Sequence, residues 1–246
     1  MPSKKKKESK KRVPKKKASK KILATKQPPL ETSSLRRELA KFLDQKIKDP
    51  QLGTIRVGNY KWGVYAFYDY DEEPIYVGQT YELLRTRIRR HLTNQRTDAV
   101  AMNVLDPHEV HTIKVWPLAQ FQELSTKEKE EFASAKDVLN ALERWVYDES
   151  IRESKFGKVL NEKKPPPATV EIDVPSPVAG VVVSEQVFAL RSHPDVRLAR
   201  RSQILARLAQ VIEERRVAGG LRQVLVVQAE RLLWLAQQRL TATTKT

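Results

Sequence analysis

The sequence contains no cysteine. Disulfides and thiolate metal sites are therefore excluded, and the chain fits a reducing compartment. No apolar run reaches the roughly 18 residues a transmembrane helix requires, so no membrane span is expected. The first residues lack the apolar stretch of a secretory signal. A phosphate-binding glycine loop, a Cys/His cluster, a serine triad and a fixed-period repeat are all missing. Acids are nearly absent from Met1–Lys21: that segment holds twelve Lys or Arg against a single acid, Glu8, so eleven of the sixteen net positive charges lie there. Such a block cannot bury apolar area and is expected to be disordered. It attracts polyanions through counterion release. A cytoplasmic or nucleoid-associated location follows, or a nuclear one in a eukaryote.

The remaining sequence has material for a core, since 40% of the 246 residues are hydrophobic. Pro28 and Pro29 mark a short linker. Helical periodicity then brings Leu35, Leu39, Phe42 and Leu43 to one face, predicting a helix over 33–48 capped by Ser33 or Ser34 and ended by Asp49-Pro50. Trp62–Tyr70 is aromatic and β-branched, Asp71–Pro74 reads as a turn, and Ile75–Gly78 as a second strand; together they predict a β-hairpin. A helix follows with Leu84, Ile88 and Leu92 on its buried stripe. A third strand is expected around Thr112–Trp116 and a long helix over Ser125–Glu153. The proline-rich stretch after Lys164 reads as a semi-rigid linker. Two amphipathic patterns around Gly219-Gly220 predict an αα-hairpin. The resulting division is a tail and linker over 1–32, a main domain over 33–164, a linker over 165–192 and a helical accessory region over 193–246.

Chemistry concentrates in the main domain. Gly63-Val64-Tyr65 opens one strand of the hairpin, and Tyr76-Val77-Gly78 closes the other. Ten residues separate the two tyrosines. Arg87 and His91 follow at a spacing of four, on one helical face. Glu143 stands on the long helix, and Asn161 comes after it. This constellation resembles the GIY-YIG endonuclease family over about Trp62–Asn161, with Val in place of Ile in both tripeptides.

The resemblance implies an α/β fold, a small antiparallel sheet flanked by helices. It also implies a metal-dependent DNA endonuclease with a tyrosine general base, either Tyr65 or Tyr76. The residue types fit phosphodiester hydrolysis. Glu143 is a hard oxygen ligand suited to one Mg²⁺ or Mn²⁺ that keeps several waters. Arg87 offers a planar fork to a phosphate, His91 can relay a proton, and Asn161 can orient a phosphate or a side chain. No small-molecule cofactor is expected. Arg85 is a reserve for Arg87, because the spacing from Gly78 is one residue longer than the family's commonest. Glu149 and Glu153 rival Glu143 as metal ligand, while His108 and His111 receive no role. The leading functional reading is a restriction-like or mobile-element DNA endonuclease, with DNA as partner and a homodimer as a possible assembly. A repair incision nuclease, an RNA-cleaving enzyme and a noncatalytic DNA-binding protein on the same fold are the alternatives. The C-terminal hairpin, with Arg197, Arg200, Arg201 and Arg207, could contact DNA or an acidic partner, join two copies, or cover the main domain.

Overall fold

The computed structural model describes residues 29–93, 104–214 and 219–244. The Lys-rich segment and its expected disorder lie outside them. Helix α1 (Leu30–Asp44) turns Leu35, Leu39, Phe42 and Leu43 inward, as their spacing predicts, but it begins and ends earlier than expected. Ser33 and Ser34 lie inside the helix, and Ser33 Oγ donates back to the Leu30 carbonyl at 2.9 Å. The backbone becomes extended at Gln45, and β1 (Lys46–Asp49) pairs with β2 (Gly53–Arg56). Asp49 closes a hairpin turn where a helix stop was expected. Its Oδ1 accepts from the Gln51 and Leu52 backbone N–H groups at 2.8 and 2.9 Å, the local hydrogen bonding that suits Asp to turns.

The larger sheet is antiparallel, in the order β4-β3-β5-β6. Its strands are β3 (Gly63–Tyr68), β4 (Pro74–Thr80), β5 (Thr112–Pro117) and β6 (Val178–Val181). Every residue of β3 is buried, because helices cover both faces of this central strand. On one face Tyr65, Phe67, Ile113 and Val115 join the apolar stripes of α1 and of α2 (Leu84–Leu92). On the other, Val64, Ala66, Tyr68 and Val77 meet Leu139, Leu142 and Val146 of α3 (Lys129–Glu153). Burying each such side chain contributes about 1.5–3 kcal/mol. Among the described residues, no helix is long and apolar enough to cross a membrane.

The stretch expected as a linker enters the fold. Beyond Pro177, the segment Val178–Val181 supplies the N–H groups that a proline run lacks and pairs with β5. Ser184 then caps α4 (Glu185–Arg191) by accepting from the Val187 N–H. The expected αα-hairpin consists of α5 (Pro194–Glu214) and α6 (Gly219–Thr244). Leu208, Leu221, Val224 and Val227 belong to the same apolar cluster as α1 and α2, so the hairpin covers the main domain's own core. Three of the four arginines of α5 are consumed in that docking. Arg197 donates to Asp71 at 2.7 Å, Arg200 to Asp106 at 2.6 Å, and Arg201 to Glu109 at 2.8 Å. Asp69 Oδ2 collects Arg197, Arg201 and Arg231 at 3.3, 2.9 and 2.6 Å. Arg207 remains exposed.

Candidate active site

The GVY and YVG tripeptides face each other across two strands. Tyr65 pairs with Gly78, and Phe67 with Tyr76. The phenol of Tyr65 therefore lies across Gly78, where a Cβ would come within 2.6 Å of Tyr65 Oη. A glycine is needed at this crossing for steric reasons. The Tyr65 hydroxyl is hydrogen-bonded to His91 Nε2 at 2.8 Å and accepts from Arg87 Nε at 3.3 Å. Because Arg87 and His91 stand one helical turn apart on α2, a single phenol engages both. Complete burial drives the Tyr65 pKa far above its ordinary value; nearby Tyr76 adds to this and Arg87 opposes it. Burial works against the charge of Arg87, but Tyr65 and Tyr76 outweigh it and raise the guanidinium pKa.

β4 is an edge strand, so side chains from both sheet faces meet around it. Tyr76 stands on the α2 side, stacked on Phe67 with ring centroids 5.8 Å apart and 5.3 Å from His91. Alternation places Gln79 on the α3 side, where its amide donates to Asn140 Oδ1 at 2.9 Å. Glu143 follows Asn140 by three residues on the same helical face. Desolvation pushes the Glu143 carboxyl up to about 7, while a hydrogen bond from Gln79 and the charge of Arg87 pull the other way. Asn161 closes the edge: its amide accepts from the Val77 N–H at 3.0 Å and donates to the Val77 carbonyl at 2.8 Å. That amide thus holds the strand, and both its polar ends are engaged by backbone.

Tyr76, Arg87, His91, Glu143 and Asn161 all border one cleft of about 480 Å³. Tyr65 lies behind it with no exposed surface. Arg85 is drawn away to Asp44 and Asn59, at 3.0 and 2.9 Å. Glu149 and Glu153 border a separate groove beside Trp145, and Glu149 is paired with Arg152. His111 packs between Tyr70 and Phe188, outside the cleft. The sequence reading missed Gln79, Lys163 and Lys164, which also line the cleft. Strand alternation from Val77 is the signal for Gln79.

The GIY-YIG catalytic domain family matches residues 61–136. The chain carries a GIY-YIG catalytic domain. The match covers both tripeptides, Arg87 and His91; Glu143 and Asn161 follow it in sequence, and the fold returns them to the same edge of β4. No curated protein and no solved structure matches the chain.

Within this GIY-YIG domain, the donor set around the cleft suits a hard divalent cation. Glu143 is a carboxylate in a partly desolvated position, with an amide already bonded to it. Among the described residues, no three His, Asp or Glu side chains converge as a closed metal cage. A single carboxylate fits an ion that retains much of its water, as Mg²⁺ does.

Proposed function

We propose that the protein is a metal-dependent DNA endonuclease whose cleft hydrolyses a phosphodiester with tyrosine assistance. The observation that carries this reading is the meeting of Arg87, His91, Tyr76 and Glu143 in one cleft, with the Tyr65 hydroxyl bonded to both α2 residues.

Glu143 would hold the cation, Mg²⁺ or Mn²⁺, which supplies Lewis-acid stabilisation of charge on the phosphate. Arg87 keeps its terminal N–H groups for a nonbridging phosphate oxygen, because among the described residues its Nε alone is engaged, by Tyr65. The tyrosine pair takes the proton of the attacking water. Tyr76 borders the cleft directly, and Tyr65 reaches it through Arg87 and His91. His91 is the onward acceptor of that proton, since its Nε2 is already hydrogen-bonded to a phenol. Asn161 keeps the YVG edge in register and acts on the chemistry through Val77. Gln79, on β4 and bonded to Asn140 of α3, steadies Glu143.

A supercoiled-plasmid assay with Mg²⁺ or Mn²⁺ tests the proposal, with Glu143→Gln beside the wild type. Nicking or linearisation by the wild type alone is the expected result, and discrete fragments would mark a restriction-like or mobile-element enzyme. Tyr65→Phe and Tyr76→Phe assign the base, which is the phenol whose loss costs more in kcat. Tight DNA binding without cleavage under either cation would overturn the enzymatic reading.

A further inference from the structure

One stretch of the cleft rim is fixed more firmly than a connector requires. Glu162, Lys163 and Lys164 border the cleft between two anchors. On one side, the Leu160 N–H donates to the Ile75 carbonyl at 2.8 Å, and the Asn161 amide grips both backbone groups of Val77. On the other, Pro165 is buried and its carbonyl accepts from Arg144 at 3.2 Å. The third support comes from the C-terminal hairpin. Gly220, at the start of α6, lies so close to the Glu162 carbonyl that a methyl group there would collide with it. An ion pair from Lys158 to Glu230, at 2.8 Å, ties the same two segments together.

The backbone is thus set from three directions, yet both lysine side chains are exposed. Among the described residues, neither has a carboxylate within ion-pair distance. Two adjacent ammonium groups repel each other, and Arg87 adds a further positive charge on the same cleft. A rim of this kind complements a chain of anions passing through the cleft.

We propose that Lys163 and Lys164 clamp the DNA phosphates flanking the scissile one, and that Gly220 lets the C-terminal hairpin hold this clamp in place. The inference rests on the endonuclease reading of the same cleft and names the surface that engages the substrate backbone. Lysine acts here as a point charge without base readout. Its contacts are made equally to the bound substrate and to the transition state, so the clamp acts on KM and leaves kcat alone.

The experiment uses the full chain, wild type beside K163A/K164A, K163R/K164R and G220A. The Lys-rich N-terminal segment is present throughout, and its contribution cancels in each comparison. Binding to a short DNA duplex is measured by fluorescence anisotropy without divalent metal over a salt series. Losing two phosphate contacts should reduce the slope of log K against log salt by about 1.8 in K163A/K164A. Affinity at physiological salt should fall roughly tenfold or more, and the arginine pair should restore it. In cleavage, KM should rise correspondingly with kcat within about twofold, and G220A should shift KM in the same direction. A wild type that cuts while slope and KM are unmoved in K163A/K164A overturns the clamp and leaves the endonuclease reading intact. A slope that falls as expected, in a protein that cuts nothing, supports the clamp and overturns the endonuclease reading. A G220A variant with altered melting temperature but wild-type KM removes the hairpin from the proposal.

Discussion

Arg87 and Arg201 are the same residue type in opposite circumstances. Arg201 is 3% exposed and bonded to Glu109 and Asp69. Its neighbours Arg197 and Arg231 share the second of those carboxylates. Arg87 is half-buried beside the cleft and, among the described residues, has no carboxylate at ion-pair distance; its hydrogen-bond partner is a neutral phenol. A buried arginine with carboxylates is finished by the fold. An arginine whose only acceptor is a phenol keeps most of its donors and its whole charge for an incoming anion. Most of the basic character of α5 is thus spent on docking, whereas the basic character of Arg87 and of the cleft rim remains available.

Breaking the hairpin side of this comparison should have the largest effect. Asp69→Ala strands three guanidiniums whose remaining acceptors cannot neutralise them all, and should cost about 3–5 kcal/mol, because an uncompensated buried charge is left behind. Urea denaturation reads this directly, and a loss below about 1 kcal/mol would mean that the cluster is energetically idle. Breaking the cleft side should leave stability nearly untouched. Arg87→Ala is expected to lower kcat by about 100- to 1,000-fold, with the melting transition close to wild type. Equal losses of stability and activity would erase the distinction between the two arginines.

Smaller changes sharpen it. Gly78→Ala places a Cβ 2.6 Å from Tyr65 Oη. Overpacking of this sort costs about 1–3 kcal/mol, and it should lower kcat as well, since the displaced phenol carries Arg87 and His91. The cleft should also respond to pH through Glu143, whose carboxyl is pushed up to about 7. It must lose its proton to bind a cation, so half-saturating Mg²⁺ should rise about tenfold per unit below pH 7 and level off above it. The folded pKa exceeds the ordinary 4.5, so the folded state retains a proton that the unfolded chain has lost between those values. Stability should therefore decline as pH rises through that window, and Glu143→Gln should remove the decline. The smallest effect belongs to Arg85→Ala. Its bonds to Asp44 and Asn59 are superficial, and it should change cleavage little and stability by less than about 1 kcal/mol.

Local pattern made much of the candidate site readable. The tripeptide spacing implied the hairpin on which Tyr65 crosses Gly78, and the four-residue step placed Arg87 and His91 together. Helical periodicity found α1, α2, α3 and the C-terminal pair. What escaped depended on partners distant in sequence. Nothing near Val178 announces that β5 will accept it as a neighbour, and the prolines before it argue for an isolated linker. Asp69 looked like an ordinary strand residue, because its three arginines come from helices more than a hundred residues away. The arginines of α5 suggested an external anion for the same reason. Lys163 and Lys164 lie where a helix has ended and no periodicity remains, so their place on the rim had no local signal. At the start of the fold the error was of another kind: the Asp49 turn was mistaken for a helix terminus because Asp and Pro serve both.

The Asp69 cluster also imposes an order in time. Asp69 and Arg231 are 162 residues apart along the chain, and synthesis proceeds from the N-terminal side at about 5–20 residues per second. On the ribosome, the carboxylate emerges roughly ten to thirty seconds before the last of its arginines. Until α5 follows, the β3–β4 hairpin, which carries Tyr65 and Tyr76, has at Asp69 an acid that no guanidinium of the cluster neutralises, and Arg231 completes the set last. A nascent chain therefore displays every residue of the cleft before it can hold them in place, and maturation of the β4 edge waits on the translation of α6.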